Sequence, residues 1–221
     1  MEKECVCNMI SDIWDCKAIN DIVYSIEGKH IQLFEQYSCA VVRKEFAKDV
    51  KLMHRGYYCP SLISDVISGN VERGKIVKEK STKGKIDFIY GFNALNQLIT
   101  IEGNSSKEFI MRDKNKEIGI MFNDFGIEGI SECIYDDNKL QMYAYYDYLA
   151  HEGVLNCELE RYTYLPEKLI VDLSFYSCPN NKLISNDRYV FEIKDGYLCN
   201  YSVINANKDK KYNVMIKRSI Q

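Results

Sequence analysis

The side chains best suited to chemistry are scattered along this chain. Its three histidines, His30, His54 and His151, fall far apart in different predicted elements. His151 sits beside Glu152 in a predicted turn, and histidine titrates near neutrality, but a lone loop histidine reads as solvent-facing. Cys59 precedes Pro60 at a predicted helix start, where the helix dipole would lower a thiol pKa. With nine cysteines in the chain, one in such a place is expected by chance. Cys5, Cys7 and Cys16 are poorly spaced for a closed zinc site. Cys157, Cys178 and Cys199 recur every 21 residues and read as small apolar fillers on strands. There is no glycine-rich phosphate loop, no nucleophile elbow and no paired-histidine zinc helix. The expectation is a protein that is not an enzyme, with no catalytic residue, no metal and no cofactor.

The positive signal is segregated charge. Between Asn123 and Glu160 there are nine acids and a single base, Lys139, a net of −8 where the whole chain carries −3. Six aromatics are interleaved with these acids: Phe125, Tyr135, Tyr143, Tyr145, Tyr146 and Tyr148. In an extended strand Tyr143, Tyr145 and Asp147 share one side. Two readings fit. In one, the segment from Ile127 to Glu160 meets a basic partner, steered by charge and anchored by tyrosines. Its contact residues would be Glu128, Glu132, Asp136, Asp137, Tyr143, Tyr145, Asp147, Glu158 and Glu160. In the other, this is a solvated acidic face whose tyrosines pack the sheet. Either way, an acidic surface repels phosphates, so no nucleic acid is expected there.

Composition frames both readings. A chain of 221 residues with 46% apolar and 28% charged residues can bury a sizeable core in one domain, with or without a helical annex. No stretch approaches the roughly 18 apolar residues of a membrane span. The start, MEKECVCNMISDIWDCK, lacks the basic and apolar regions of a secretory signal, so a cytoplasmic setting is expected. The odd cysteine count then implies reduced thiols. The sequons at Asn104 and Asn200 are expected to be idle.

The elements that must position these residues divide the chain near residue 70. Residues 1–70 are expected to be a helical region packing on a sheet. One amphipathic face runs through Ile10, Ile13, Trp14, Ala18, Ile22, Val23 and Ile26, with Gly28 as its C-terminal cap. A second helical period runs through Phe34, Tyr37, Val41, Val42, Phe46, Val50 and Met53. A third helix is expected from Pro60 to Ser68, ending at Gly69. Between Ile22 and Tyr37, Glu27-Gly28 could equally turn a hairpin.

Residues 71–221 read as an antiparallel β-meander. Ten turn signals fall at near-regular spacing from Asn93–Asn96 to Asn207–Lys211, implying about eleven strands. Asp195-Gly196 is the strongest hairpin signal among them. The Lys-rich stretches Lys75–Lys85 and Lys208–Lys217 suit exposed edges, where charge blocks unwanted pairing. The expected fold is α+β, mainly β. It is an open, curled or half-barrel meander of about ten strands with two or three N-terminal helices.

Three turns share a local shape: Phe92-Asn93-Ala94-Leu95-Asn96-Gln97-Leu98, Tyr135-Asp136-Asp137-Asn138-Lys139-Leu140 and Tyr164-Leu165-Pro166-Glu167-Lys168-Leu169. This texture resembles YD-repeat hairpins and the β-rich immunity proteins of bacterial polymorphic toxin systems, although the usual glycine after Asn is absent. The resemblance implies an inhibitor that occludes a basic toxin partner. Two other classes stay open: a carrier or sensor of an apolar small molecule inside a curled sheet, and a structural or interaction protein.

Overall fold

The computed structural model describes residues 16–51, 54–67, 73–78, 85–180, 182–205 and 210–212. Its helices are α1 (Cys16–Ile26), α2 (His30–Cys39) and α3 (Leu62–Ile67). The first strands are β1 (Arg43–Lys48), β2 (Lys75–Val77), β3 (Phe88–Phe92), β4 (Leu98–Gly103), β5 (Lys107–Asp113) and β6 (Lys116–Asn123). The longer ones follow: β7 (Gly126–Asp136), β8 (Lys139–Leu149), β9 (Gly153–Leu165), β10 (Lys168–Ser177) and β11 (Lys182–Lys194). The last are β12 (Tyr197–Asn205) and β13 (Lys210–Tyr212).

All thirteen strands lie in one antiparallel sheet, running in sequence order from β13 to β3 and then to β1 and β2. The turn signals therefore delimit the eleven strands β3 to β13, and 206–209 of the last connection lie outside the described residues. Asp195 and Gly196 both take left-handed backbone, φ 53 and 77, as a two-residue hairpin demands. β2 and β13 are the edges and do not pair with each other, so the sheet is open. Both edge strands carry lysines, as the Lys-rich stretches predict.

Helices α1 and α2 cover one side, the helix face. Ile19, Val23, Ile26 and Phe34 pack there on Phe109, Ile120, Phe122, Ile130, Ala144 and Leu159. The Glu27-Gly28 turn joins two helices rather than two strands, because Val23 and Ile26 keep the helical period on the buried side. The N-terminal part of the predicted first helix, with Ile10, Ile13 and Trp14, lies outside the described residues, as do Cys5 and Cys7.

The second predicted helix is corrected. It stops at Cys39, and Arg43–Lys48 is β1, paired with β2 on one side and β3 on the other. Val41, Val42 and Phe46 fit a helical period. The ladder between β3 and β2 nevertheless takes the extended form of this segment, and it buries Ala47 completely.

The connection from β1 to β2 does not stay at the edge. It crosses the opposite side of the sheet, here the connector face, with a 3₁₀ turn at Gly56–Tyr58 and then α3. The predicted third helix thus begins two residues late, and Ser61 rather than Pro60 starts it. The Ser61 hydroxyl accepts the Ser64 N–H at 2.8 Å, as an N-cap does. Ser68 and Gly69 lie outside the described residues. Leu62, Ile63 and Val66 bury against Cys133, Tyr143, Tyr162, Val171 and Phe191 of this face.

Candidate functional site

The alternation of side chains along β5 to β11 builds the connector face in rows. One row runs Arg112, Glu117, Cys133, Tyr143, Glu160, Leu173 and Asp187 from strand to strand. The next runs Ile110, Gly119, Ser131, Tyr145, Glu158, Phe175 and Ser185. A third runs Glu108, Met121, Gly129, Asp147 and Asn156. Charged groups recur in all three, and residues 54–67 lie over part of them.

Two polar clusters hold that segment down. Arg55 is buried, with left-handed backbone at φ 59. Its Nε donates to Glu108 Oε1 at 2.8 Å and its Nη2 to Ser131 Oγ at 2.8 Å, while Nη1 reaches Glu117 at 3.4 Å. Gly119 lies beneath this cluster, where a Cβ would overlap the Glu108 carboxylate and the Arg55 guanidinium. A glycine inside a strand marks such a close approach.

The neighbouring His54 extends the network. Burial holds the Tyr143 phenol well above its ordinary pKa, and its protonated hydroxyl is hydrogen-bonded with His54 Nδ1 at 3.0 Å. His54 Nε2 lies 3.2 Å from Glu108 Oε2. A tyrosine–histidine–glutamate chain is a proton-relay arrangement in outline. Tyr143 is only 2% exposed, and the chain ties the connector to the sheet. Burial drives the Glu108 carboxyl up, but Arg55 and then His54 outweigh it and hold the pKa at about 2.

The second cluster centres on Glu160, which is fully buried. It accepts hydrogen bonds from the Ser61 and Tyr162 hydroxyls, and Leu62 N–H donates to that tyrosine oxygen at 3.1 Å. Burial raises its carboxyl to about 7, although both hydroxyl bonds pull the other way. Arg73 ties the connector from above, donating to the carbonyls of Cys59 at 2.7 Å and Ser61 at 3.2 Å.

The nine residues expected on a partner surface separate into three groups. Glu132 is on the helix face, where it pairs with Lys116 and accepts the Tyr146 hydroxyl at 3.3 Å. Its odd or even place in β7 decided that, since neighbours in a strand point to opposite sides. Tyr143 and Glu160 face the connector and are buried beneath it. These three are therefore corrected: none lies on an exposed surface. Asp136 and Asp137 are exposed at the β7–β8 turn.

Glu128, Tyr145, Asp147 and Glu158 come together on the open part of the connector face. Glu128 occupies a β-bulge, since Phe122 pairs with Ile127 and Met121 with Gly129. Its carboxylate accepts the Asn123 amide at 2.6 Å. Tyr145 opposes Glu158 across the β8–β9 ladder and lies beside the His54 ring, centroids 4.8 Å apart. Its hydroxyl sits where a side chain on Gly129 would be. Burial raises the Glu128 carboxyl, and burial followed by the nearby Asp147 raises that of Glu158. No ion pair to Glu128, Asp147 or Glu158 occurs among the described residues.

Beside this patch is a cavity of about 500 Å³, lined among others by His54, Phe88, Glu108, Met121, Glu128 and Tyr145. Cys59 is buried, and Cys39, Cys59, Cys133, Cys157, Cys178 and Cys199 are free thiols. His151 is exposed in its turn. No group of three or more potential metal ligands occurs among the described residues. Nor is any described helix long and apolar enough to cross a membrane.

Sequence reasoning missed His54, Arg55, Glu108 and Gly119, the centre of the face. A signal was there in the glycines at Gly119 and Gly129 in mid-strand. Each is a local misfit that only a neighbouring layer explains. No protein-family model matches this chain, no curated protein matches it, and no solved structure matches it.

Proposed function

We propose that this is a non-enzymatic protein-binding protein of the cytoplasm whose connector face receives a basic partner, in the manner of an immunity-type inhibitor that occludes a toxin. One observation carries the reading: Glu128, Asp147 and Glu158 stand together around Tyr145 with no described cation among them. Carboxylates crowded on adjacent strands repel, which destabilises the free protein. A basic surface relieves that repulsion on docking, and the half-buried tyrosine supplies an anchor of the kind enriched at interface cores. Asp136 and Asp137, exposed at the turn, contribute to long-range attraction rather than to contact. The same charge disfavours nucleic acid at this face.

The reading is tested with Asp147→Lys and Glu158→Lys together, in capture experiments on extract from the native source. The wild-type chain is expected to retain a discrete basic protein that the double variant loses, at unchanged thermal stability. Equal capture by both would overturn it. Because the partner's cations lower the pKa of Glu128 and Glu158 in the complex, binding releases protons. Affinity therefore rises with pH through the range where these acids titrate in the free protein.

A further inference from the structure

We propose that the cavity beside Tyr145 is a receptor for one arginine side chain of the partner, with Glu128 as its carboxylate and Tyr145 and Phe88 as its walls. This rests on the reading of the connector face given above and names the chemistry of its anchor.

The charge balance of the cavity comes first. Three groups that could supply positive charge line it, and each is engaged elsewhere. Arg55 spends its guanidinium donors on Glu108, Glu117 and Ser131. His54 is held between Tyr143 and Glu108. Lys107 places its ammonium over the Phe34 ring on the helix face, 5.3 Å from the centroid. Two carboxylates stay without a described cation. Asp87 accepts the Val50 N–H at 3.1 Å and the Asn104 amide at 3.4 Å, and Glu128 accepts only from Asn123. An entering cation therefore meets uncompensated negative charge, while an anion meets repulsion.

The walls narrow the kind of cation. Phe88, Ile101, Met121 and Tyr145 present apolar and aromatic surface between the polar groups. That suits a planar guanidinium on an apolar stem, which can stack on a ring while bonding a carboxylate. A volume of about 500 Å³ falls within the ~300–1,000 Å³ of ligand sites. The Tyr145 hydroxyl makes no hydrogen bond among the described residues and is free to accept one. Gly129 is the residue that lets this ring lie against the sheet, since a Cβ there would overlap the hydroxyl.

The test uses the full chain with N-acetyl-arginine methylamide as probe and its neutral citrulline counterpart as control, read by the Met121 methyl NMR signal. Saturable shifts with the arginine probe are expected, weakened at least about tenfold by Glu128→Gln, which keeps the Asn123 bond and so the local fold. No saturable shift, an equal response to citrulline, or an unchanged response in Glu128→Gln would overturn the proposal. The two readings fail separately. If capture depends on Asp147 and Glu158 while Met121 ignores arginine, the surface stands and this anchor does not. If arginine saturates the cavity while no basic protein is captured, the site stands without that partner.

Discussion

Glu108 and Glu160 are both buried on the connector face and both help hold the same stretch of chain, yet their carboxyls move in opposite directions. Glu108 falls to about 2 because a buried arginine and a histidine outweigh the effect of burial. Glu160 rises to about 7 because burial faces only uncharged hydrogen-bond donors. Desolvation is common to both, and the presence of a cation decides the sign. One clamp is ionic and the other is built from neutral hydrogen-bond donors.

The largest expected effect breaks the ionic clamp. Arg55→Met leaves buried Glu108 without its arginine, which should cost about 3–5 kcal/mol in denaturant unfolding, while Glu117 keeps Arg112. Loss of less than about 1 kcal/mol would show that Glu108 does not depend on the arginine.

Next, pH should separate the clamps. A carboxyl raised in the folded state contributes stability that is complete below its unfolded pKa and lost as pH rises through its folded value. Between pH 4.5 and about 7, Glu160 should therefore cost the fold on the order of 3 kcal/mol. Glu160→Gln should remove this slope. Glu108 has the reverse sign: its contribution is present above 4.5 and lost as pH falls toward about 2. Glu108→Gln should flatten the limb below pH 4.5 and leave the one between 4.5 and about 7. A single slope shared by both variants would refute the contrast.

Gly119→Ala tests the space beneath the ionic clamp. Overpacking should destabilise by about 1–3 kcal/mol, since an added Cβ would overlap Glu108, Arg55 and Ser131. The smallest effect is expected from Tyr143→Phe, which removes one hydroxyl bond to His54 and should cost about 1 kcal/mol by thermal melting.

Much of the architecture was legible because it is local. Asp195-Gly196, Asp137-Asn138 and the other turns carry residues that accept left-handed backbone, so strands β3 to β13 could be delimited in advance. Lysine runs marked both edges for the same reason. The segment Val41–Val50 was misread because apolar residues three or four apart fit either period when the run is short. The site was less legible. Alternation put Tyr143, Tyr145 and Asp147 on one side correctly, but it could not say that residues 54–67 would cover the first of them. Nor could charge counting show that Glu132 pairs with Lys116 on the other face.

The sequence by itself determined the strands, their order and their charged edges, since turn chemistry and period-two patterning act between near neighbours. Only the tertiary structure decided which acids are exposed. That depends on a connector from the sheet's edge folding back across one face, on a glycine leaving room for Arg55, and on which carboxylates thereby gain a cation. Those are contacts between residues as far apart as Arg55 and Ser131 or Ser61 and Glu160, and no local pattern records them.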